Sequence, residues 1–186
     1  MNHIQILPLG SIPPEILSGL ATGLTMEFRQ PCKFLPEESD PAFAYNVTRQ
    51  QYSSTEILAT LTQRVTERTG RLLAVTPVDL YIPILTFVFG EAQLTGLCAI
   101  VSYHRLRQEF YGLPVDKKLL HRRLLKESVH ELGHTHSIQH CEEYQCVMSP
   151  SHSVEWIDLK TSSFCSTCRA NISSLAATKP HIVADL

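Results

Sequence analysis

No apolar run in the sequence approaches the roughly 18 residues that a membrane-spanning helix needs, so a membrane role is not expected. There is no excess of one charge either, since 16 Lys and Arg stand against 18 Asp and Glu for a net −2. A chain this close to neutral gives no argument for a nucleic-acid partner or an anionic lipid surface, both of which select clustered positive charge. The amino end, from Met1 to Pro8, lacks a basic stretch, and Pro8, Pro13 and Pro14 interrupt any apolar segment of the secretory kind. Internal repeats, low-complexity tracts and linkers are also missing. These absences lead to a cytoplasmic protein formed as one domain over residues 1–186, with no nucleic acid and no membrane, and a monomer is expected. The composition agrees, because 44% hydrophobic and 18% charged residues suit a chain that buries a substantial core.

A reducing compartment changes the reading of the 6 cysteines, which are then metal ligands or buried thiols in preference to disulfides. Cys141 with Cys146, and Cys165 with Cys168, form two close pairs at the spacing of a four-thiolate structural zinc. The other reading of Cys165-Ser166-Thr167-Cys168, a redox pair, lacks the strand–helix context of such motifs. Cys32 and Cys98 stand alone in apolar surroundings and are expected to be small core residues.

The chain is organised around His130-Glu131-Leu132-Gly133-His134, followed by His140. On a helix, residues four apart lie roughly 40° apart around the axis, so His130 and His134 point the same way and can reach one metal. Glu131 sits about 100° round from His130 and can face a water on that metal as general base. His140 is too far along a straight helix to join them, so the chain must leave the helix near Ser137 and turn back. Three histidines leave a fourth position open, which is the catalytic arrangement of zinc. Ordinary helix histidines also satisfy the short HExxH pattern; His140 and the cysteines behind it are what argue for a metal. Taking Val115 to His136 as one helix, Leu120, Leu124, Leu125, Ser128 and Leu132 form the apolar arc. His130 and His134 fall outside it, beside Arg123 and Glu127, and are expected to face a cleft.

Elsewhere the pattern predicts a strand over Ile4–Leu9, a helix from Pro13 to Glu27 and a strand from Gln30 to Leu35. A second helix starts at Ser53-Ser54-Thr55-Glu56 and closes at Gly70. Three strands follow, at Leu72–Leu80, Thr86–Ala92 and Leu97–Ser102. Tyr103–Pro114 reads as a loop whose Arg105 and Arg107 are solvated, and beyond the active-site helix little regular structure is expected before a short helix near Cys165. Gly90 weakens its strand in the manner of an edge. An edge formed by Phe87, Val88, Phe89 and Gly90 could pair with an extended peptide beside the metal; Phe87 and Phe89 as plain core residues is the other possibility.

These features fall together with Cys141 directly after His140, with Cys146-Val147-Met148, with Phe164-Cys165-Ser166-Thr167-Cys168, and upstream with Gln51-Tyr52-Ser53-Ser54-Thr55 and Phe87-Val88-Phe89-Gly90-Glu91-Ala92. In this set the chain resembles the archaemetzincins, compact metzincins with a second, cysteine-bound zinc, and the resemblance covers nearly the whole sequence. It implies an α/β (α+β) fold: a mixed twisted sheet with backing helices and an active-site helix in residues 1–136, then an irregular zinc-bound part in 137–186. It implies two zinc ions, a catalytic one on His130, His134 and His140 and a structural one on Cys141, Cys146, Cys165 and Cys168, and it makes Met148 the Met-turn methionine. The activity implied is peptide-bond hydrolysis with Glu131 as base, on a peptide or protein substrate. A zinc-stabilised peptide-binding module that cleaves little is the alternative of another class.

Two positions depart from the family pattern. Ser137 stands where metzincins carry glycine, and a left-handed serine costs about 1 kcal/mol; either the turn forms under strain or the helix runs on. His136 stands where the family usually has an apolar residue. It lies about 200° round the helix from His134 and so cannot share its metal.

Overall fold

The computed structural model describes residues 3–66 and 70–177. Along the chain run β1 (Ile4–Pro8), α1 (Pro14–Phe28), β2 (Cys32–Phe34), β3 (Tyr45–Asn46), β4 (Gln51–Ser53), α2 (Ser54–Thr62), β5 (Arg71–Thr76), β6 (Leu80–Tyr81), β7 (Gly90–Ala92) and β8 (Cys98–Ser102). Then come α3 (Lys117–Thr135), α4 (Val154–Leu159) and α5 (Ser166–Ala177). Five strands form a mixed sheet in the order β2-β1-β5-β8-β7, and β3-β4-β6 form a small second sheet. In the large sheet every neighbouring pair is parallel except β7 with β8, where Gly90 faces Val101 and Ala92 faces Ala99.

Strands covered on both faces lose the alternation of half-exposed strands and become continuously apolar. β8 is buried along its whole length, and β5 from Leu72 to Thr76. The two faces of β5 still separate: Leu73 and Val75 join the core formed with Leu20 and Leu24 of α1 and Leu124 and Leu132 of α3. Leu72 and Ala74 turn to the opposite side and pack with Ile57 and Leu61 of α2. Each fully buried Leu or Ile contributes on the order of 1.5–3 kcal/mol, so the first core fixes α3 against the sheet, and with it the positions of residues 130–134, while the second fixes α2 on the other face. Asp116 caps α3 by accepting from the Leu119 amide at 2.8 Å. Among the described residues, no helix is long and apolar enough to cross a membrane.

Several elements differ from the sequence expectation. The run Leu72–Leu80 is two strands in two sheets, because Pro77 has no amide hydrogen for a ladder and the chain turns at that point. The second helix stops at Thr62, well before Gly70; β-branched Thr60, Thr62, Val65 and Thr66 crowd its end, and Arg64 reaches away to Glu38 at 2.7 Å. Residues 67–69 of that expected helix lie outside the described ones. The strand expected over Thr86–Ala92 keeps only Gly90–Ala92 in the ladder, with Val88 making a lone bridge to Leu80. Arg105 is not solvated: it donates twice to Asp79, at 2.7 Å each, and its guanidinium lies over the rings of Phe87 and Phe110. The helix α4 was not expected at all. Three cations fasten it, since Arg123 grips Asp158, Lys126 donates to the Ile157 carbonyl, and the chain leaves α4 at Lys160, whose side chain turns inward.

Candidate metal centre and its cleft

Three features of the chain bring the histidines together. His130 and His134 project from adjacent turns of α3, with ring centroids 4.7 Å apart. The helix then ends in a left-handed residue, Ser137 at φ 64°. The Ser137 amide donates to the His134 carbonyl at 2.9 Å and the Ile138 amide to the Gly133 carbonyl at 3.2 Å, which is the Schellman way of closing a helix. Serine thus adopts the turn that glycine makes elsewhere. The returning chain carries His140 to ring-centroid distances of 5.3 Å from His130 and 5.0 Å from His134.

The orientation of the rings suits a cation. His130 Nδ1 meets the Val147 carbonyl at 2.9 Å and His134 Nδ1 meets the Ile138 carbonyl at 2.7 Å. A carbonyl only accepts, so each Nδ1 carries the proton and each Nε2 of the neutral ring presents a lone pair. These two Nε2 atoms stand 3.1 Å apart, a repulsive arrangement unless a positive charge lies between or beside them. Nδ1–H bonds to backbone carbonyls are also the usual second support of metal-binding imidazoles. Burial, first of all, pushes the pKa of His130, His134 and His140 below the ordinary histidine value, and the Lys160 ammonium adds to it in each case. Neutral imidazoles are the form that binds metal. The donor atoms of His130, His134 and His140 all lie within 4.8 Å of one another, and so do those of Cys141, Cys146, Cys165 and Cys168. All 6 cysteines are free thiols.

The histidines and the thiols are joined through one short strap. Cys141 follows His140 directly, and its amide donates to the Met148 carbonyl at 3.0 Å. Val147, whose carbonyl holds His130, follows Cys146. Met148 is fully buried, and a Cβ added to Gly133 would lie 2.4 Å from its sulfur. Only glycine at 133 therefore lets the strap approach α3 between the first two histidines.

His130, Glu131 and His140 open on a cavity of about 270 Å³, whose far wall is the segment from Leu85 to Gly90. His130 faces this cleft, while His134 lines a neighbouring, more open one with Ala92, Leu94, Gln139 and His140; His130 and Glu131 are themselves only 5% and 6% exposed. Burial, and then the neighbouring Glu127 carboxylate, raises the Glu131 pKa well above the usual carboxylate range. A Cβ on Gly90 would fall 2.7 Å from the Glu131 side chain, so the edge strand touches the carboxylate. Phe89 is buried in the core, and Phe87 is partly buried against the same core, edge-on to Phe89 at 5.2 Å. The opposite wall is Pro150, Ser151 and His152. A buried ion pair behind it, Lys160 with Glu127 at 2.9 Å, was missed in the sequence. The position of Glu127 one turn before Glu131 was a partial signal; Lys160 resembles any surface lysine.

His136 points away from the cluster, stacked on Phe28 at 5.5 Å, and its buried Nε2 has no partner. Burial, with Arg71 nearby, lowers its pKa to about 3. The unfolded chain takes up a proton from about pH 6.5 downward and the folded one does not until about 3, so this residue removes stability as pH falls through that window. At pH 5 the loss is about 2 kcal/mol. His136→Phe keeps the stacking and cannot charge, so its stability advantage over wild type should widen by that amount between pH 7 and pH 5. Denaturant unfolding at the two pH values checks this, and an advantage that stays constant contradicts it.

Comparison with known proteins agrees with this geometry. The family model of peptidase family M54 matches residues 31–174. An archaemetzincin of Methanocaldococcus jannaschii is 45% identical over 89% of this chain and 90% of its own length. One from Archaeoglobus fulgidus is 38% identical over 91% of this chain and 97% of its own. A zinc-dependent peptidase of known structure from Methanocorpusculum labreanum, 28% identical, superimposes with a TM-score of 0.84 over 91% of this chain and 99% of that one. The crystal structure of the Archaeoglobus fulgidus archaemetzincin with malonate, 36% identical over 91% and 99%, gives 0.79. By its family match, its curated relatives and its fold, the chain belongs to peptidase family M54, the archaemetzincins.

Proposed function

We propose that the chain hydrolyses peptide bonds with one zinc held by His130, His134 and His140, with Glu131 as general base, and that a second, structural zinc is held by Cys141, Cys146, Cys165 and Cys168. The observation that carries this reading is the pair of unprotonated Nε2 atoms of His130 and His134 facing each other at 3.1 Å, with Glu131 opening on the cavity that His130 and His140 line. Zinc bound there supplies Lewis-acid polarisation of a carbonyl and lowers the pKa of water to about 7. Glu131, in a buried carboxyl environment that favours proton uptake, accepts a proton from water and later returns it to the leaving amine. Met148 is the Met-turn residue, packed against Gly133 under the histidine pair. The segment Phe87-Val88-Phe89-Gly90, held in place by the Val88 amide on the Leu80 carbonyl, runs beside an extended substrate backbone and places its scissile bond over the site. The network behind that segment keeps it stiff: Gln51 donates to the Thr86 carbonyl at 3.0 Å and to Asp79, which Arg105 grips from the other side. Six free thiols favour a reducing, cytoplasmic setting. A binding module has no use for a carboxylate at the position of Glu131, which is why hydrolysis is preferred to the alternative of peptide capture alone.

The test is turnover of a diverse peptide library by the native protein. Cleavage lost to a chelator and restored by zinc supports the reading; cleavage that persists after the histidine-bound metal has been removed overturns it.

Ser137 gives a smaller prediction. Because its φ is 64°, Ser137→Gly relieves about 1 kcal/mol of strain in the folded chain, offset in part by the greater freedom of glycine when unfolded. Thermal unfolding should change by no more than about 1 kcal/mol, and zinc affinity at the histidines should stay equal or rise. A clear drop in that affinity would contradict the turn described above.

A further inference from the structure

Lys160 is one of the least exposed charged groups in the chain, its side chain 1% accessible, and its partner Glu127 is 4% accessible. Burying two charges in place of two apolar side chains is seldom the more stable solution, so the pair calls for a reason other than stability. Its placement supplies one. Lys160 Nζ donates to the Ser149 carbonyl at 3.1 Å, one residue after Met148. Ser151 Oγ donates to Glu127 Oε1 at 3.1 Å. Glu127 projects from α3 one turn before Glu131, and Ser151 lines the wall of the cavity that faces Leu85–Gly90. Ammonium, carboxylate, backbone carbonyl and hydroxyl therefore form one knot that ties residues 149–151 to the active-site helix.

We propose that Lys160 and Glu127 are positioning residues for the reaction: they hold the Ser149–Ser151 strap at a set distance from the edge segment, and so fix the width of the slot that receives a substrate side chain beside the metal. The inference rests on the peptidase reading and deepens it. Without the knot the strap loses its bond from Ser151 to Glu127 on α3 and its bond from Ser149 to Lys160, while the histidines keep theirs, since Val147 and Ile138 hold His130 and His134 independently. The role is thus separable from metal binding. Arg123 and Lys126 of α3 dock α4, and Lys160, directly after α4, reaches Glu127 and the Ser149 carbonyl behind the cavity wall.

The test uses zinc-loaded full-length protein and two probes, acetohydroxamate, which offers only a metal-binding head, and a peptidyl hydroxamate carrying a leucine side chain. Lys160→Met alone leaves Glu127 buried and unpaired and is expected to lower Tm sharply. The charge-neutral pair Glu127→Gln with Lys160→Met avoids that, and Ser151→Ala loosens the strap without touching either charge. In the neutral pair, acetohydroxamate affinity should stay within about twofold of wild type while peptidyl hydroxamate affinity falls at least tenfold; Ser151→Ala should show the same selectivity with a smaller loss. Unchanged binding of both probes makes the pair a structural element only and overturns the inference. Equal losses on both probes place the effect at the metal and overturn it as well. Wild-type protein that carries zinc at the cysteines but binds neither probe overturns the peptidase reading itself, and the inference with it.

Discussion

Glu131→Gln should lose hydrolysis by about 10²–10⁴-fold, the range for removing a general base, with zinc content and melting temperature nearly unchanged. The carboxylate lies on the cavity side of α3 beside His130, and Gly90 of the edge strand packs against it. Glutamine has the same shape and fills the same space, so the close approach at Gly90 is preserved. An amide cannot accept a proton from water at neutral pH, and it cannot hand one to the leaving amine. The substitution also removes a buried carboxyl whose pKa is raised by burial and by Glu127, so no stability is expected to be lost with it. Peptide turnover measured alongside metal analysis separates the two effects. Turnover equal to wild type would remove Glu131 from the reaction, and loss of zinc would make it a support of the site instead.

Cys168→Ser should have the largest effect on stability. A closed four-thiolate zinc contributes on the order of 10 kcal/mol of folding free energy, comparable with the whole stability of a typical domain. Cys168 is 5% exposed, and its thiol lies with those of Cys141, Cys146 and Cys165 within 4.8 Å. The strap between Cys141 and Cys146 carries neither a long helix nor a strand of its own, so few other interactions can replace the metal there. The variant should therefore melt many degrees lower, and the loss should reach the histidines, because His140 precedes Cys141 and Val147 follows Cys146. A chelator mild enough to spare the thiolate site should remove only the histidine-bound metal from wild type and leave the fold standing. Unfolding transitions of wild type, chelated wild type and Cys168→Ser, compared under reducing conditions, check both statements. A variant as stable as wild type would mean that the thiols hold no structural metal.

How much of this could be read from the residues depended on whether a local signal existed. The helical spacing of His130, Glu131 and His134 is local, and so is the apolar arc from Leu120 to Leu132; α3 forms as expected within two residues at either end. The need for a reversal at Ser137 followed from the position of His140 alone, and the positive φ is found there. Elements held by distant partners were not legible. Residues 86–89 have a strand composition, but Gln51 binds the Thr86 carbonyl, Arg105 lies over the Phe87 ring and Leu80 takes the Val88 amide, all from remote parts of the chain, and only Gly90–Ala92 stays in the ladder. The six residues of α4 are too few to show a period, and the helix stands because Arg123 and Lys126 reach it from α3. Lys160 gave no sign of burial, since only the folded chain brings Glu127 and the Ser149 carbonyl to it.

The account depends most on the two clusters of donor atoms being two metal sites. Diffraction from crystals of the native, fully reduced protein, recorded on both sides of the zinc absorption edge, tests that directly. Two anomalous peaks should appear, one about 2.0–2.1 Å from ring nitrogens of His130, His134 and His140 and one about 2.3 Å from the sulfurs of Cys141, Cys146, Cys165 and Cys168. A single peak among the cysteines, or a histidine peak that leaves His140 well outside coordination distance, would contradict it.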